Sequence, residues 1–266
     1  MNKPFVTLVK YFFQTTLAFP TSLIVWVFIS FIEPIIMISL WGSIIKSGGH
    51  LPLSFSQLVT YYLLSAIYYR IMQVWSLESI SREIYRGSFA TWLLRPLPYI
   101  YTDLAKSIGL KLTRIITTIP VLVMFIFLYR ADFKLALEVP QFFLILLALA
   151  MGFFLYLSFE NLLSLVAFWF ERTIYFTVIY YIFVDFLSGG TVPLNFLPPI
   201  FRQVVNLLPF RYLLSFPLEI TLGTLSSFQI IGGFICGFIW IGFFLILYKY
   251  LLPKGLKRYS PSELFR

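Results

Sequence analysis

A chain of 266 residues that is 60% hydrophobic and 12% charged, with a mean hydropathy of +0.90, is excluded from the ordinary soluble class, where about 25% of residues are charged. Its net charge of +9 is carried by residues strung along short loops without base-reading motifs, which excludes a nucleic-acid reading. The single Cys236 rules out an intrachain disulfide. Such a composition describes an all-α integral membrane protein of one domain over residues 1–266.

In residues 1–19, Phe5, Val9, Phe12, Phe13 and Leu17 share one helical face, with Lys3, Thr7, Lys10 and Gln14 opposite. This predicts an amphipathic helix in the inner membrane interface, interrupted before Pro20. The first apolar run begins at Pro20 and is too long for a signal-peptide core, so no cleavable signal is expected. A span needs about 20 apolar residues, and six runs qualify: residues 20–45, 57–77, 108–129, 141–169, 173–188 and 228–252. With the N-terminus inside, fourteen lysines and arginines fall on the inner segments and five on the outer, with Arg70 inside a span. Both termini are therefore expected in the cytoplasm. Trp41, Tyr61, Tyr62, Trp75, Tyr129, Trp169 and Tyr248 lie near predicted span ends and read as interfacial belts.

The inner connection 78–107 combines charge with order signals. The helix of span two is expected to continue through residues 77–86, with Gly87 as its C-terminal cap. Ser88 is expected to cap a short helix through Leu94, and Arg95-Pro96 to stop it. The result is a cytoplasmic knob exposing Arg82, Glu83, Arg86 and Arg95, the alternative being a solvated basic loop that serves only topology. The outer segment 189–223 carries five prolines, Pro193, Pro198, Pro199, Pro209 and Pro217, with Arg202 and Arg211 among apolar residues. Because proline removes a backbone donor, this stretch cannot be one ordinary span. It predicts a re-entrant hairpin that turns at Gly189-Gly190, starts a short helix near Pro198-Pro199, breaks at Pro209, and resumes over residues 212–222.

Four ionisable residues, Glu33, Arg70, Glu160 and Asp185, fall inside predicted spans, where charge is costly and faces the bundle interior or water. Each is a candidate for the substrate path. Equally, Arg70 can pair with Glu33 or Glu160 and only fix helix packing, and Asp185 can reach water at the outer end. Catalytic chemistry is missing: His50 is the only histidine, no metal cluster is present, and no G-x-x-x-x-G-K-[ST] phosphate loop occurs.

Two runs carry a family resemblance. One is Arg82-Glu83, Gly87, Leu93-Leu94 and Pro96; the other is Gly189-Gly190-Thr191-Val192-Pro193 through Pro198-Pro199 to Leu208-Pro209-Phe210. In this order, with six spans around them, they resemble the permease subunits of ABC-2-type ATP-binding cassette transporters of the type V exporter fold, in their small prokaryotic paired-permease branch. The resemblance implies a multi-pass protein of the cytoplasmic (inner) membrane and a second permease chain, identical or paralogous, met through spans one and five. It also implies a separate ATPase subunit, which holds ATP and Mg, leaving this chain with no catalytic, metal or cofactor site. The knob becomes the coupling helix, docking into the ATPase through Arg82, Glu83, Arg86, Gly87, Leu93 and Arg95, with Phe89 and Trp92 as aromatic anchors. Neither a large extracellular domain nor a fused ATPase is expected from these residues, so the full-length lipid-transporter subclasses that carry them fit poorly. An aromatic content of 20% suits an apolar or lipophilic-cation substrate, with Glu33 or Glu160 offsetting its charge, and equally suits lipid-facing surface. An ion-gradient-driven secondary transporter and a membrane assembly scaffold are the competing readings.

Overall fold

The computed structural model describes residues 2–94, 97–135, 137–170 and 173–259. Among these, every regular element is helical: α1 (Asn2–Leu17), α2 (Pro20–Lys46), α3 (Phe55–Met72), α4 (Ser76–Tyr85), α5 (Phe89–Leu93), α6 (Tyr99–Leu128), α7 (Val139–Ser164), α8 (Ile174–Ser188), α9 (Pro199–Leu207), α10 (Ser215–Thr221) and α11 (Ser227–Arg258). Tight 3₁₀ turns at Leu165–Phe168, Leu194–Phe196 and Pro209–Leu213 join some of them. Helices α3 and α11 each start on a full capping box, Ser54 with Gln57 and Ser226 with Gln229.

Helices α2, α6, α7 and α11 are long and apolar enough to cross a membrane. The other two runs read as spans behave differently. Helix α8 has 15 residues, about 22 Å of rise, against a hydrocarbon core of about 30 Å. Helix α3 is enclosed by α2, α6 and α7, so it buries Thr60, Tyr61, Tyr62, Ser65 and Tyr68 together with its leucines. A helix surrounded by protein need not be apolar all round, which is why its polar residues are tolerated. The core runs along α7, which packs against α3, α4, α10 and α11. A smaller cluster, Val27, Phe31 and Ala66, joins α2 to α3, and Phe31 stacks on Phe125 of α6 at 5.0 Å.

Helix α1 docks along α6. The contact depends on Gly109: a Cβ there would come within 2.8 Å of both Phe12 Cβ and the Val9 carbonyl oxygen. The apolar face read from the sequence therefore packs against a neighbouring helix, while Lys10 stays exposed.

The expectation that span two continues as one helix through residues 77–86 needs correction. The helix is broken after Met72 by the extended Gln73 (φ −60°, ψ 134°) and restarts at Ser76. The break sits beside two charged side chains, Lys111 and Glu160, that satisfy the freed backbone groups.

Replacing Gly109 with leucine should separate α1 from α6, lowering thermal stability in detergent by about 1–3 kcal/mol, as overpacking does, and speeding tryptic cleavage at Lys10. Gly242→Ala is the matched control. Nothing lies within 4 Å of that position, so it should be neutral or slightly stabilising.

Candidate functional site

The site starts from the α3–α4 break. A helix that ends leaves carbonyls without partners, and one that begins leaves N–H groups without them. At the end of α3, Lys111 of α6 donates from Nζ to the Gln73 carbonyl at 2.5 Å. At the start of α4, the Glu160 carboxylate of α7 accepts from the Leu77 N–H at 3.1 Å. Each charge meets the helix end of opposite polarity, cation at the C-terminus and anion at the N-terminus. Ser76 Oγ donates to Asp103 Oδ2 at 2.5 Å, and Asn161 Nδ2 donates to the same oxygen at 2.9 Å. Glu160 and Asn161 are fully buried and Asp103 nearly so. The root of α4 is thus clamped to both α6 and α7.

From that root α4 projects outward. Arg82, Tyr85 and Arg86 are exposed, and Arg82 pairs with Glu78 one turn earlier. Gly87 takes φ +72°, ending α4 in a left-handed turn. Helix α5 then forms over Phe89–Leu93, although Ser88 makes no capping bond through its side chain. The aromatic anchors expected to face a partner are turned inward. Phe89 is 2% exposed and packs against the rings of Tyr99, Phe168 and Tyr259 at 5.2, 5.7 and 6.1 Å. Trp92 lies edge-on to Tyr99 at 5.4 Å. Apolar surface at the tip comes instead from Leu93 and from Leu94, which is 87% exposed. Arg95 lies outside the described residues.

A cleft of about 680 Å³ separates α4 from α6. Its walls carry Glu78, Arg82, Glu83 and Arg86 on one side and Asp103, Lys106 and Arg114 on the other. Burial pushes the Glu83 carboxyl above the usual carboxylate range, while the Lys106 charge and hydrogen bonds from Trp92 and Tyr99 pull it back.

The segment 189–223 follows its expected punctuation. Gly189 takes φ +87°, α9 opens at Pro199, the chain tightens into a 3₁₀ turn from Pro209, and α10 follows. Pro193 leads directly into the 3₁₀ turn at Leu194–Phe196, and Pro198 is the N-cap residue of α9. Arg211 donates from Nε and Nη2 to Glu219 Oε2 at 3.2 and 2.6 Å, both side chains being largely buried. Four tyrosines of α3 hold this segment. Tyr61 donates to the Gly189 carbonyl at 2.7 Å, Tyr62 to the Thr191 carbonyl at 2.9 Å, and Tyr69 to Asp185 Oδ1 at 2.7 Å. Tyr68 shares a bond of 2.7 Å with Thr221. Asp185 also accepts from Thr191 Oγ1 at 2.5 Å, and a side chain at Gly190 would overlap both Asp185 and Tyr69.

The four charges expected inside spans divide accordingly. Glu160 caps α4 and Asp185 anchors the hairpin. Arg70 is not the partner of Glu160: it stands beside Arg114 on the wall of a small cavity. Glu33 is exposed on α2, within reach of Thr191 and of the Asp185 charge.

A family model described as an ABC-2 family transporter protein matches residues 25–262. The chain belongs to that family. No curated protein and no solved structure matches it. Within this ABC-2 permease, the residues that sequence reasoning passed over are Ser76, Asp103 and Lys111 around the α4 root, the four tyrosines, and Glu219. Tyr61-Tyr62 and Tyr68-Tyr69 recur seven residues apart, which puts them on one helical face. That spacing was the available signal for a polar ladder instead of an interfacial belt. Asp103 and Lys111 carried none, since a helix that starts at Tyr99 had to be known before either could be placed inside the core.

Two outcomes test the clamp. Glu160→Ala and Lys111→Ala should each cost the permease about 2–3 kcal/mol by orphaning a buried backbone group, with Glu160→Gln milder because it keeps an acceptor; thermal unfolding in detergent reads all three. Glu83 has a raised value in the folded state, so the stability it contributes is complete below about pH 4.3 and is lost as pH rises through that raised value. Glu83→Gln should therefore raise the melting temperature at pH 7.5, and the gain should vanish in acid.

Proposed function

We propose that this chain is the membrane-spanning permease subunit of an ATP-binding cassette exporter. Two permease chains, identical or paralogous, enclose the substrate path, and a separate ATPase dimer binding ATP and Mg drives them from the cytoplasmic face of a prokaryotic inner membrane. The observation that carries this reading is the α4–α5 lever, an exposed tip on a root clamped into the core. A rigid arm of this kind passes a push at Leu93, Leu94, Tyr85 and Arg86 to α6 and α7 through Asp103, Asn161 and Glu160.

In this reading α2, α3, α6, α7, α8 and α11 are the six crossings, with both termini inside. Helix α8 is completed by the outer hairpin, and α3 crosses inside the shell of its neighbours. The face that joins α2 to α8 meets the second permease. Its support is Glu33, because a carboxylate exposed at mid-span is costly against lipid and tolerable against water or protein. Glu160 is committed to capping α4, so Glu33 is the acid left to offset a positive charge on an exported molecule.

The test is a pull-down of the ATPase subunit with the full permease. Leu93→Asp with Leu94→Asp should abolish it and leave thermal unfolding unchanged, since both side chains are exposed and central apolar anchors dominate interface energetics. Phe89→Ala should weaken both together, by loosening the loop itself. An intact complex and undiminished ATPase stimulation in the Leu93, Leu94 double variant would sink the lever mechanism.

A further inference from the structure

The two backbone groups freed at the α3–α4 break, the Gln73 carbonyl and the Leu77 N–H, stand four residues apart. That is the pair that a continuous α-helix bonds to each other. In the bent chain Lys111 donates to the first and Glu160 accepts from the second. Lys111 and Glu160 make no ion pair with one another, since among the described residues only Arg82–Glu78 and Arg211–Glu219 do, yet each lies within the field of the other's charge. The same two donors and two acceptors therefore match in a second way. When Leu77 bonds Gln73 along the helix, Lys111 is released to Glu160 and none of the four groups is left over.

The local sequence accepts both arrangements. Residues 57–86 contain no proline or glycine, so no side chain forbids a helix through the break. Gln73 already has a helical φ of −60°, and its ψ of 134° is what departs from the helical value of about −42°. Trp75, at φ −132° and ψ 33°, is also off the helix. Returning the stretch to helix pairs the Val74, Trp75 and Ser76 amides with the Arg70, Ile71 and Met72 carbonyls as well. What favours the bend is packing. Leu77, Ile80 and Ile84 are buried where α4 meets α7 and the turn at Leu165–Phe168, and Ser76 bonds Asp103. A pull on the far end of α4 works against those contacts, because the hydrogen bonds of the break are exchanged and not lost.

We propose that residues 73–77 form a two-state joint, in which the bonds from Lys111 and Glu160 to the bent chain are exchanged for a Leu77–Gln73 bond and a Lys111–Glu160 ion pair as α3 and α4 become one helix. Bent, the arm is clamped to α6 and α7; straight, it leaves α7. The joint belongs to this chain alone, and only the force that drives it, a pull from an ATPase, rests on the transport reading.

The experiment is a distance measurement between paired spin labels in the full chain without ATPase, so its outcome does not depend on that reading. Labels go on Arg86→Cys and Lys249→Cys, both exposed positions, with Cys236→Ser removing the native thiol. Lys111→Met with Glu160→Leu takes both partners from the bent chain and leaves the straight helix fully bonded. This apolar pair should move the mean distance by an amount on the order of 10 Å, since the 10 residues of α4 make an arm of about 15 Å, and should keep the distribution narrow. The exchanged pair, Lys111→Glu with Glu160→Lys, puts each charge at the wrong helix end but keeps the ion pair, and should give the same shift. Either half of the exchange alone sets two like charges together and should melt at a lower temperature than the exchanged pair. A wild-type distance in the apolar pair overturns the joint, as does a broadened distribution, which means that α4 has come loose. If the apolar pair does not fold, the exchanged pair decides on the same readings. Loss of folding in both overturns the joint too, because the straight helix leaves none of these groups unpaired.

Discussion

The architecture depends on how one helix is broken. Between Met72 and Ser76 the chain gives up its helical hydrogen bonds inside the protein, and free backbone groups there are costly unless they find partners. Lys111 and Glu160, brought from two other helices, supply them at the Gln73 carbonyl and the Leu77 N–H. Two buried charges that would be a liability alone become the partners of two helix ends, and each offsets the electrostatic need of the other. Because these side chains reside on α6 and α7, the break also ties the three helices together. Without it α4 would leave the core as a straight extension of α3, with no leverage on α7.

The same helix is held at its other side by the tyrosine ladder. Tyr61, Tyr62 and Tyr69 bind the hairpin backbone and Asp185, while the lower end of α3 is fixed by Lys111. Helix α3 is therefore a strut between the α4 lever and the outer hairpin. The two are joined by a packed helix and not by a flexible loop.

Much of this was legible from residue order, and the limits have physical causes. Proline and glycine punctuation located the hairpin, because a missing N–H and a positive φ are properties of single residues. The four long apolar helices were legible for the same local reason. What failed were inferences about direction and partner. Phe89 was expected to be an exposed anchor from the resemblance of its loop to a coupling helix, yet three rings from distant parts of the chain, Tyr99, Phe168 and Tyr259, enclose it. The α3–α4 break was invisible in residues 57–86, which contain no proline or glycine before Gly87; its cause is 38 and 83 residues downstream, at Lys111 and Glu160. Arg70 and Arg114 share a cavity wall, which only tertiary packing could reveal.

The tyrosine ladder also bears on how the protein is made. Tyr61 and its partner Gly189 are 128 residues apart, which at synthesis rates of about 5–20 residues per second separates their appearance by roughly 6–26 s. During that interval α3, the least apolar of the long helices, has its tyrosine hydroxyls unmatched. Its packing is then a matter of timing, begun against α2 and completed only when the hairpin emerges. A ribosome that pauses before residue 189 would leave the nascent chain with its central helix still lacking the carbonyls that Tyr61 and Tyr62 bind.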